Sequence, residues 1–159
     1  MLQLTKRTEY GLIALVHMVD REGVVSAREI CDRYPVPKRL LAEVLKDLGR
    51  ADIVASQRGA TGGYSLARPA SEITLGEVVA ALEGQPTLAS CESLSPAKNG
   101  ECEVEPTCPI RSPIHRIRER IWDLMDRTTL RSIASFPAPT ILGSGEAAAS
   151  TLLPNTTTA

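Results

Sequence analysis

The sequence predicts a mainly α-helical fold: a winged helix-turn-helix with a two-stranded wing and a long C-terminal dimerisation helix. Three observations predict it. Two short helix signals flank a proline-broken turn in "SAREICDRYPVPKRLLAEVLKDLGR", which is the helix-turn-helix pattern. A Gly-rich hairpin signal, "IVASQRGATGGYSLAR", follows directly. A last amphipathic pattern returns after a polar, cysteine-bearing stretch.

The elements follow in order. A first helix is expected over about residues 5–22, where Tyr10, Ile13, Leu15 or Val16, and Val19 recur near helical spacing. The second opens with Ser26 and carries Glu29 three residues on, a capping box in which each side chain satisfies a free backbone donor. Ala27, Ile30, Cys31 and Tyr34 form its apolar side. "PVP" at 35–37 ends it, because proline lacks the N–H and restricts the residue before it. A third helix starts near Pro37, a favoured first-turn position. Leu40, Leu41, Val44, Leu45 and Leu48 make its buried stripe, and Lys38, Arg39, Ala42 and Lys46 fall off it.

"IVASQ" and "YSLAR" are short strands around the Gly-rich turn, and behind a helix-turn-helix such a hairpin is a wing. Thr74 and Glu77 make a second capping box, and that helix should stop at Gly84. From Pro113, Ile114, Ile117, Ile121, Leu124, Met125 and Thr128 recur at three- and four-residue steps. One apolar stripe on a helix set apart by a polar loop calls for a partner. The same helix in a second subunit is the simplest one. After Phe136 the composition is that of a disordered tail. The expected organisation is therefore a DNA-binding domain at 1–84, a cysteine-bearing loop at 85–112, a dimerisation helix at 113–135 and a tail at 136–159.

Bulk properties narrow the function. The 159 residues suffice for one domain or a small domain plus an appendage. With 43% hydrophobic but only 3% aromatic residues, the core must be largely aliphatic. No apolar run approaches the roughly 20 residues that span a bilayer. The start, "MLQLTKRTEYG", lacks the layout of a signal peptide. A cytoplasmic protein is expected, and there thiols stay reduced. Four cysteines in that setting point to metal or redox chemistry before a disulfide framework. No P-loop, dinucleotide fingerprint or paired nucleophile and base is present, so an enzyme is not expected.

Net charge is −1, but its distribution is uneven. Residues 33–68 hold 7 basic and 3 acidic residues, whereas 71–110 hold one lysine and 7 acids. A local basic patch is what phosphate binding needs. The second helix of a helix-turn-helix presents its N-terminal residues to base edges. Those are Lys38 and Arg39, with Lys46 farther along. Arginine can engage guanine bidentately, while lysine more often meets phosphate. The wing tip offers Gln57, Arg58, Gly59, Thr61 and the glycine pair 62–63, and an arginine there suits a narrow minor groove. Against this, lysine and arginine on a helix are most often a solvated face. The combination of elements, rather than any one side chain, carries the double-stranded DNA reading.

Cys91, Cys102 and Cys108 sit in the least hydrophobic stretch, with gaps of ten and five residues. A structural cysteine is usually buried, so these bind something or react with something. Three thiolates fit an iron–sulfur cluster, of the 2Fe–2S or 4Fe–4S type, with one position left for another ligand. Structural zinc usually shows a shorter ligand-pair gap, so a zinc site and a thiol redox switch stand as alternatives. Either alternative would suit a winged-helix protein acting through protein–protein contacts. Glu9, then His115, then Glu101, Glu103 and Glu105 are candidate fourth ligands. Glu9 could equally stabilise the positive end of its helix, and His115 could be a surface residue. Cys31, beside Ile30, reads as a structural thiol, and His17 as structural too.

"LTKRTEYGLIALVHM", "VPKRLLAEVLKDLGRADIVASQRGATGGYSLARP" and "ITLGEVVAALEG" resemble winged-helix transcription regulators of the Rrf2 family, the IscR, NsrR, RirA and CymR type. The likeness spans about residues 1–135, and "SQRGATGGYSLAR" is its most specific block. The resemblance implies a homodimer held by the long helix and contacts of wing and third helix to a palindromic operator. For cysteine-bearing members it implies an iron–sulfur cluster on the three thiols that controls DNA binding. It also implies an acidic fourth ligand from the first helix of the other subunit, where Glu9 stands at the matching position. Relatives of the IscR and NsrR kind more often have a shorter first gap between cysteines.

Overall fold

The computed structural model describes residues 3–59, 62–84, 87–88, 104 and 107–136. The expected tail, Thr61 and the loop thiols Cys91 and Cys102 lie outside the described residues. The element order is α1 (Lys6–Val19), α2 (Ala27–Arg33), α3 (Lys38–Arg50), β1 (Val54–Gln57), β2 (Gly63–Leu66), α4 (Leu75–Glu83), α5 (Arg111–Arg127) and α6 (Leu130–Ser135).

Thr5 caps α1 by accepting from the Thr8 N–H. The helix ends at Val19, three residues short of the expected end. Its buried residues are Thr8, Gly11, Ala14, Leu15 and Met18. Of the expected stripe only Leu15 is fully buried. The reason is that α1 is enclosed by α3, α4 and α6 together, so small residues face close neighbours and Tyr10 and Val19 lie at the margin. Ser26 caps α2 as expected, accepting from the Glu29 N–H at 3.1 Å. The return half of that capping box is replaced. The Glu29 carboxylate turns to His17, at 3.2 Å, and Arg21, at 3.3 Å. Half-buried His17 also stacks edge-on against Tyr34, with ring centroids 5.5 Å apart, so its role is structural.

Pro37 stands at the N-cap of α3, so Lys38 and Arg39 are its first two helical residues. Leu41, Val44, Leu45 and Leu48 are fully buried, and Leu40 is half-buried. β1 and β2 pair antiparallel with Val54 opposite Leu66 and Gln57 opposite Gly63. A third short stretch joins this wing. Val25 and Tyr64 exchange two backbone hydrogen bonds of 2.8 Å, which ties the wing to the start of α2. The core is aliphatic, as the composition requires. Leu15, Ile30, Leu41, Leu45, Leu48, Ile53, Ile73 and Leu130 are its largest fully buried side chains.

Thr74 and Glu77 form the complete capping box at the start of α4. The segment expected as one helix over 113–135 is two helices. α5 starts at Arg111 and ends at Arg127, and Thr129 caps the separate α6. The break has a physical cause: the chain turns back to the core. Leu75 N–H donates to Thr128 O at 2.8 Å, Leu130 N–H to Ile73 O at 2.8 Å and Arg131 N–H to Ala70 O at 2.9 Å. Leu130 then buries itself in the common core.

Two carboxylates record these junctions in their acidity. Burial opposes the charge on Glu77, yet the Thr74 backbone N–H, the Arg68 guanidinium and the Thr74 hydroxyl hold its carboxyl below the usual carboxylate range. Burial likewise opposes the charge on Glu83, at the end of α4. The Thr8 hydroxyl, which completes no hydrogen bond of good geometry, and the Thr5 hydroxyl and N–H lower its pKa. Thr5 N and Oγ1 donate to Glu83 at 2.8 and 2.7 Å, clasping α1 to α4. Folded pKa values below the unfolded ones give stability that is complete above the ordinary carboxylate range. It is lost as pH falls through the folded values. Denaturant unfolding across a pH series should therefore show stability dropping on acidification below about pH 5. The drop should be shallower in Glu83→Gln and Glu77→Gln; an unchanged slope in both would contradict the assignment.

Candidate nucleic-acid interface

The reading head is built outward from the core. Burying Leu41, Val44, Leu45 and Leu48 on one side of α3 leaves Lys38, Arg39, Glu43 and Lys46 on the exposed side. The Arg39 side chain is 95% exposed and pairs with Glu43 at 3.5 Å, one helical turn on. Lys38, Lys46 and Arg58 have no ion-pair partner among the described residues. Exposed, uncompensated cations of this kind are what a phosphate backbone can neutralise.

Arg58 and Gly59 are exposed beyond the end of β1, at the turn of the wing. Gly59 has φ +121°, a backbone that side chains rarely adopt, so glycine serves the turn there. The structure thus brings five of the expected DNA-contact residues to exposed positions on α3 and the wing; Thr61 lies outside the described residues.

One brace was not legible in the sequence. Arg7 of α1 donates to Asp47 of α3 at 2.5 Å and lies 3.9 Å from Glu43. Arg50 completes the group, donating to Asp47 at 2.8 Å. Arg7 thereby positions the exposed face of α3 from another helix. Forty residues separate Arg7 from Asp47, and no local spacing signals such a pair.

The thiols are placed differently. Cys108 is a half-buried free thiol, two residues before the Ile110 cap of α5. Cys31 is a half-buried free thiol on α2, packed against the core as expected. Among the described residues no three His, Cys, Asp or Glu side chains come together. Glu9 sits in the first turn of α1 with a 38% exposed side chain paired to Lys6. That carboxylate raises the Lys6 pKa through its hydrogen bond and its charge. His115 accepts from Arg118 at 2.8 Å and stands 3.4 Å from Glu119, half-exposed on α5. Glu9 and His115 therefore reach the surface, while the candidates Glu101, Glu103 and Glu105 lie outside the described residues. Three thiols with a surface carboxylate or imidazole form a donor set suited to iron–sulfur ligation.

A helix-turn-helix with exposed cations on its second helix and an arginine at the wing defines a DNA-binding transcription regulator. The comparisons agree. Residues 4–135 match the sequence profile of the Rrf2 family, described as iron-dependent transcriptional regulators. The chain belongs to that family. Among similar solved structures is CymR (YrzC), the global cysteine regulator of B. subtilis. It is 29% identical, with 87% of this chain and 100% of that chain covered and a TM-score of 0.67. Staphylococcus aureus CymR is 28% identical, covering 84% and 99%, at a TM-score of 0.62. IscR of T. potens is 26% identical, covering 91% and 94%, at 0.63. No helix among the described residues is long and apolar enough to cross a membrane.

Removing the wing cation tests the interface. Arg58→Ala should weaken binding to a specific duplex by about 1–3 kcal/mol and reduce the slope of log affinity against log salt by about 1. The melting temperature should not move, because the side chain is exposed and has no described partner. Equal affinity and slope, measured by fluorescence anisotropy over a salt series, would remove Arg58 from the interface.

Proposed function

We propose that this protein is a homodimeric repressor whose binding to a palindromic operator is governed by an iron–sulfur cluster. Cys91, Cys102 and Cys108 would hold the cluster, with Glu9 of the other subunit as fourth ligand. The observation that carries the reading is the concentration of three thiols immediately before α5, with Cys108 two residues from that helix's cap. A cluster supplies a centre whose occupancy and oxidation state follow iron supply and redox conditions. Genes for iron–sulfur cluster assembly are the proposed targets, by likeness to IscR.

The chain's own residues provide the linkage. Cys108 lies at the root of α5, and α5 is joined through residues 128–131 to the loop before α4. A carboxylate on α1 of one subunit, held to a loop of the other, fixes how far apart the two α3 helices stand. Half-sites about one helical turn apart demand a fixed spacing. Loosening the loop shifts the balance between arrangements.

The exposed face of α5 supports the dimer. Ile114, Ile121, Trp122 and Met125 are half-buried in this subunit, where α5 lies against α4. Ile110, Ile117 and Leu124 stay exposed, at seven-residue steps. Seven-residue spacing is the seam two helices share when they wind together. Ile117→Asp with Leu124→Asp should yield a monomer in sedimentation equilibrium with unchanged helix content. A persisting dimer would place the interface elsewhere.

A second reading rests on the similarity to CymR, which is described as a cysteine regulator. In it the thiols respond directly, or hold zinc, without a cluster. Anaerobic purification with visible spectroscopy and iron, sulfide and zinc analysis separates the two. The cluster reading expects a coloured protein with iron and sulfide. It expects Cys91→Ser, Cys102→Ser or Cys108→Ser to bleach the protein and change operator affinity, and Glu9→Ala to alter the absorbance. Colourless protein with full operator regulation would leave the second reading.

A further inference from the structure

A cavity of about 540 Å³ opens between the C-terminal end of α1, the base of the wing and α6. Small-molecule sites fall in the range of about 300–1,000 Å³. Its wall carries three guanidinium groups, from Arg21, Arg68 and Arg131, and no carboxylate. Lys38, Arg39, Lys46 and Arg58 do not line it, so the DNA-reading residues do not account for this concentration of charge.

The three arginines are not alike. Arg68 is committed to the fold. Its guanidinium donates to Asp52 O at 3.5 Å, Glu72 O at 3.1 Å and the Glu77 carboxylate at 2.8 Å. Arg21 and Arg131 are more than half exposed, and each is held by a single carboxylate. Arg21 lies 3.3 Å from Glu29, and Arg131 lies 2.7 Å from Asp20. Neither of those carboxylates lines the cavity. Guanidinium has five N–H donors in a rigid fork, so both side chains retain donors for a second anion. Exposed pairs of this kind hold their partners weakly.

The rest of the wall suits an anion with oxygens to satisfy. Ser65, Ser71 and Gln57 line it, and their side chains make no hydrogen bond among the described residues. Met18 and Ala70, nearly fully buried, supply apolar surface beneath. A recess of this volume, lined by these donors and by apolar side chains, can enclose a compact solute. We propose that this cavity binds a small polyanion, a di- or tricarboxylate or a phosphate ester. Arg21 and Arg131 bridge it, and Ser65 and Ser71 hydrogen-bond it. The site does not depend on the iron–sulfur reading.

Isothermal titration of the full-length protein with citrate and with inorganic pyrophosphate, at constant ionic strength, tests this. Saturable binding of at least one of them, one per chain, is expected, and the stronger arm tells carboxylate from phosphate chemistry. Arg21→Gln with Arg131→Gln should weaken binding at least ten-fold. Ser71→Trp, on an exposed loop position at the cavity wall, should block binding while leaving the melting temperature in place. Arg28→Gln, an exposed arginine of α2 away from the cavity, should leave binding unchanged. Absence of saturable binding by both probes overturns the proposal. So does equal binding by wild type, the double variant and Ser71→Trp. A double variant that instead loses DNA affinity and salt dependence, with neither anion bound by wild type, would make the two arginines backbone contacts and also overturn it.

Discussion

Three main-chain hydrogen bonds, between residues 70–75 and 128–131, hold the molecule's two working parts together. They sit beside Ile73 and Leu130, which are sealed from water. An unmet amide or carbonyl in such a place costs about 1–3 kcal/mol, so the junction resists opening one bond at a time. The helix ends meet there as well. The Asp126 carboxylate packs so closely on Gly76, in the first turn of α4, that a side-chain carbon would collide with it. A helix N-terminus favours a carboxylate, which gives this contact an electrostatic as well as a steric reason. The consequence is mechanical. α5 cannot swing freely about residues 128–129, and whatever displaces α5 also strains the segment at 69–73 that roots the wing.

The placement of α3 has a different origin. Four of its side chains are fully buried, each contributing about 1.5–3 kcal/mol. The exposed ion pairs around it contribute about 0–1 kcal/mol each. Apolar burial therefore decides where α3 lies, and the Arg7–Asp47–Arg50 group adjusts how it is presented. That group has a further effect on charge. Glu43 and Asp47 are the acidic residues on α3, and Arg7, Arg39 and Arg50 sit against them. With the acids offset, Lys38, Lys46 and Arg58 dominate the field that a duplex would meet.

Local signals carried most of the fold into the sequence. Proline at 35 and 37, the Thr74–Glu77 box and the glycine-rich turn each act through the backbone within a few residues, and each is where the sequence placed it. The misreadings share a cause. Glu29 obeys the spacing of a capping box, but His17, twelve residues away, offers its carboxylate a competing partner. Thr128 continues the period of α5, so the pattern looked unbroken. The break at Thr129 depends on backbone partners more than fifty residues earlier. The exposed cations of α3 were legible because charge excluded from a buried stripe must be exposed. The arginine-lined cavity was not, because it assembles Arg21, Arg68 and Arg131 from segments that share no periodicity.

The chemistry of the thiol loop can be weighed by charge. Residues 71–110 hold 7 acids and one lysine, and Glu101, Glu103 and Glu105 are the sequence neighbours of Cys102. Neighbouring carboxylates disfavour the thiolate, which is the reactive form of cysteine. A bare thiol switch is better served by cationic surroundings. A bound metal centre offsets the handicap, because its positive charge stabilises thiolates outright. Acidic composition is thus a greater handicap for a loop that works by bare thiol reactivity than for one that holds a metal centre. Charge thus supports the proposed ligation over direct oxidation for these three cysteines.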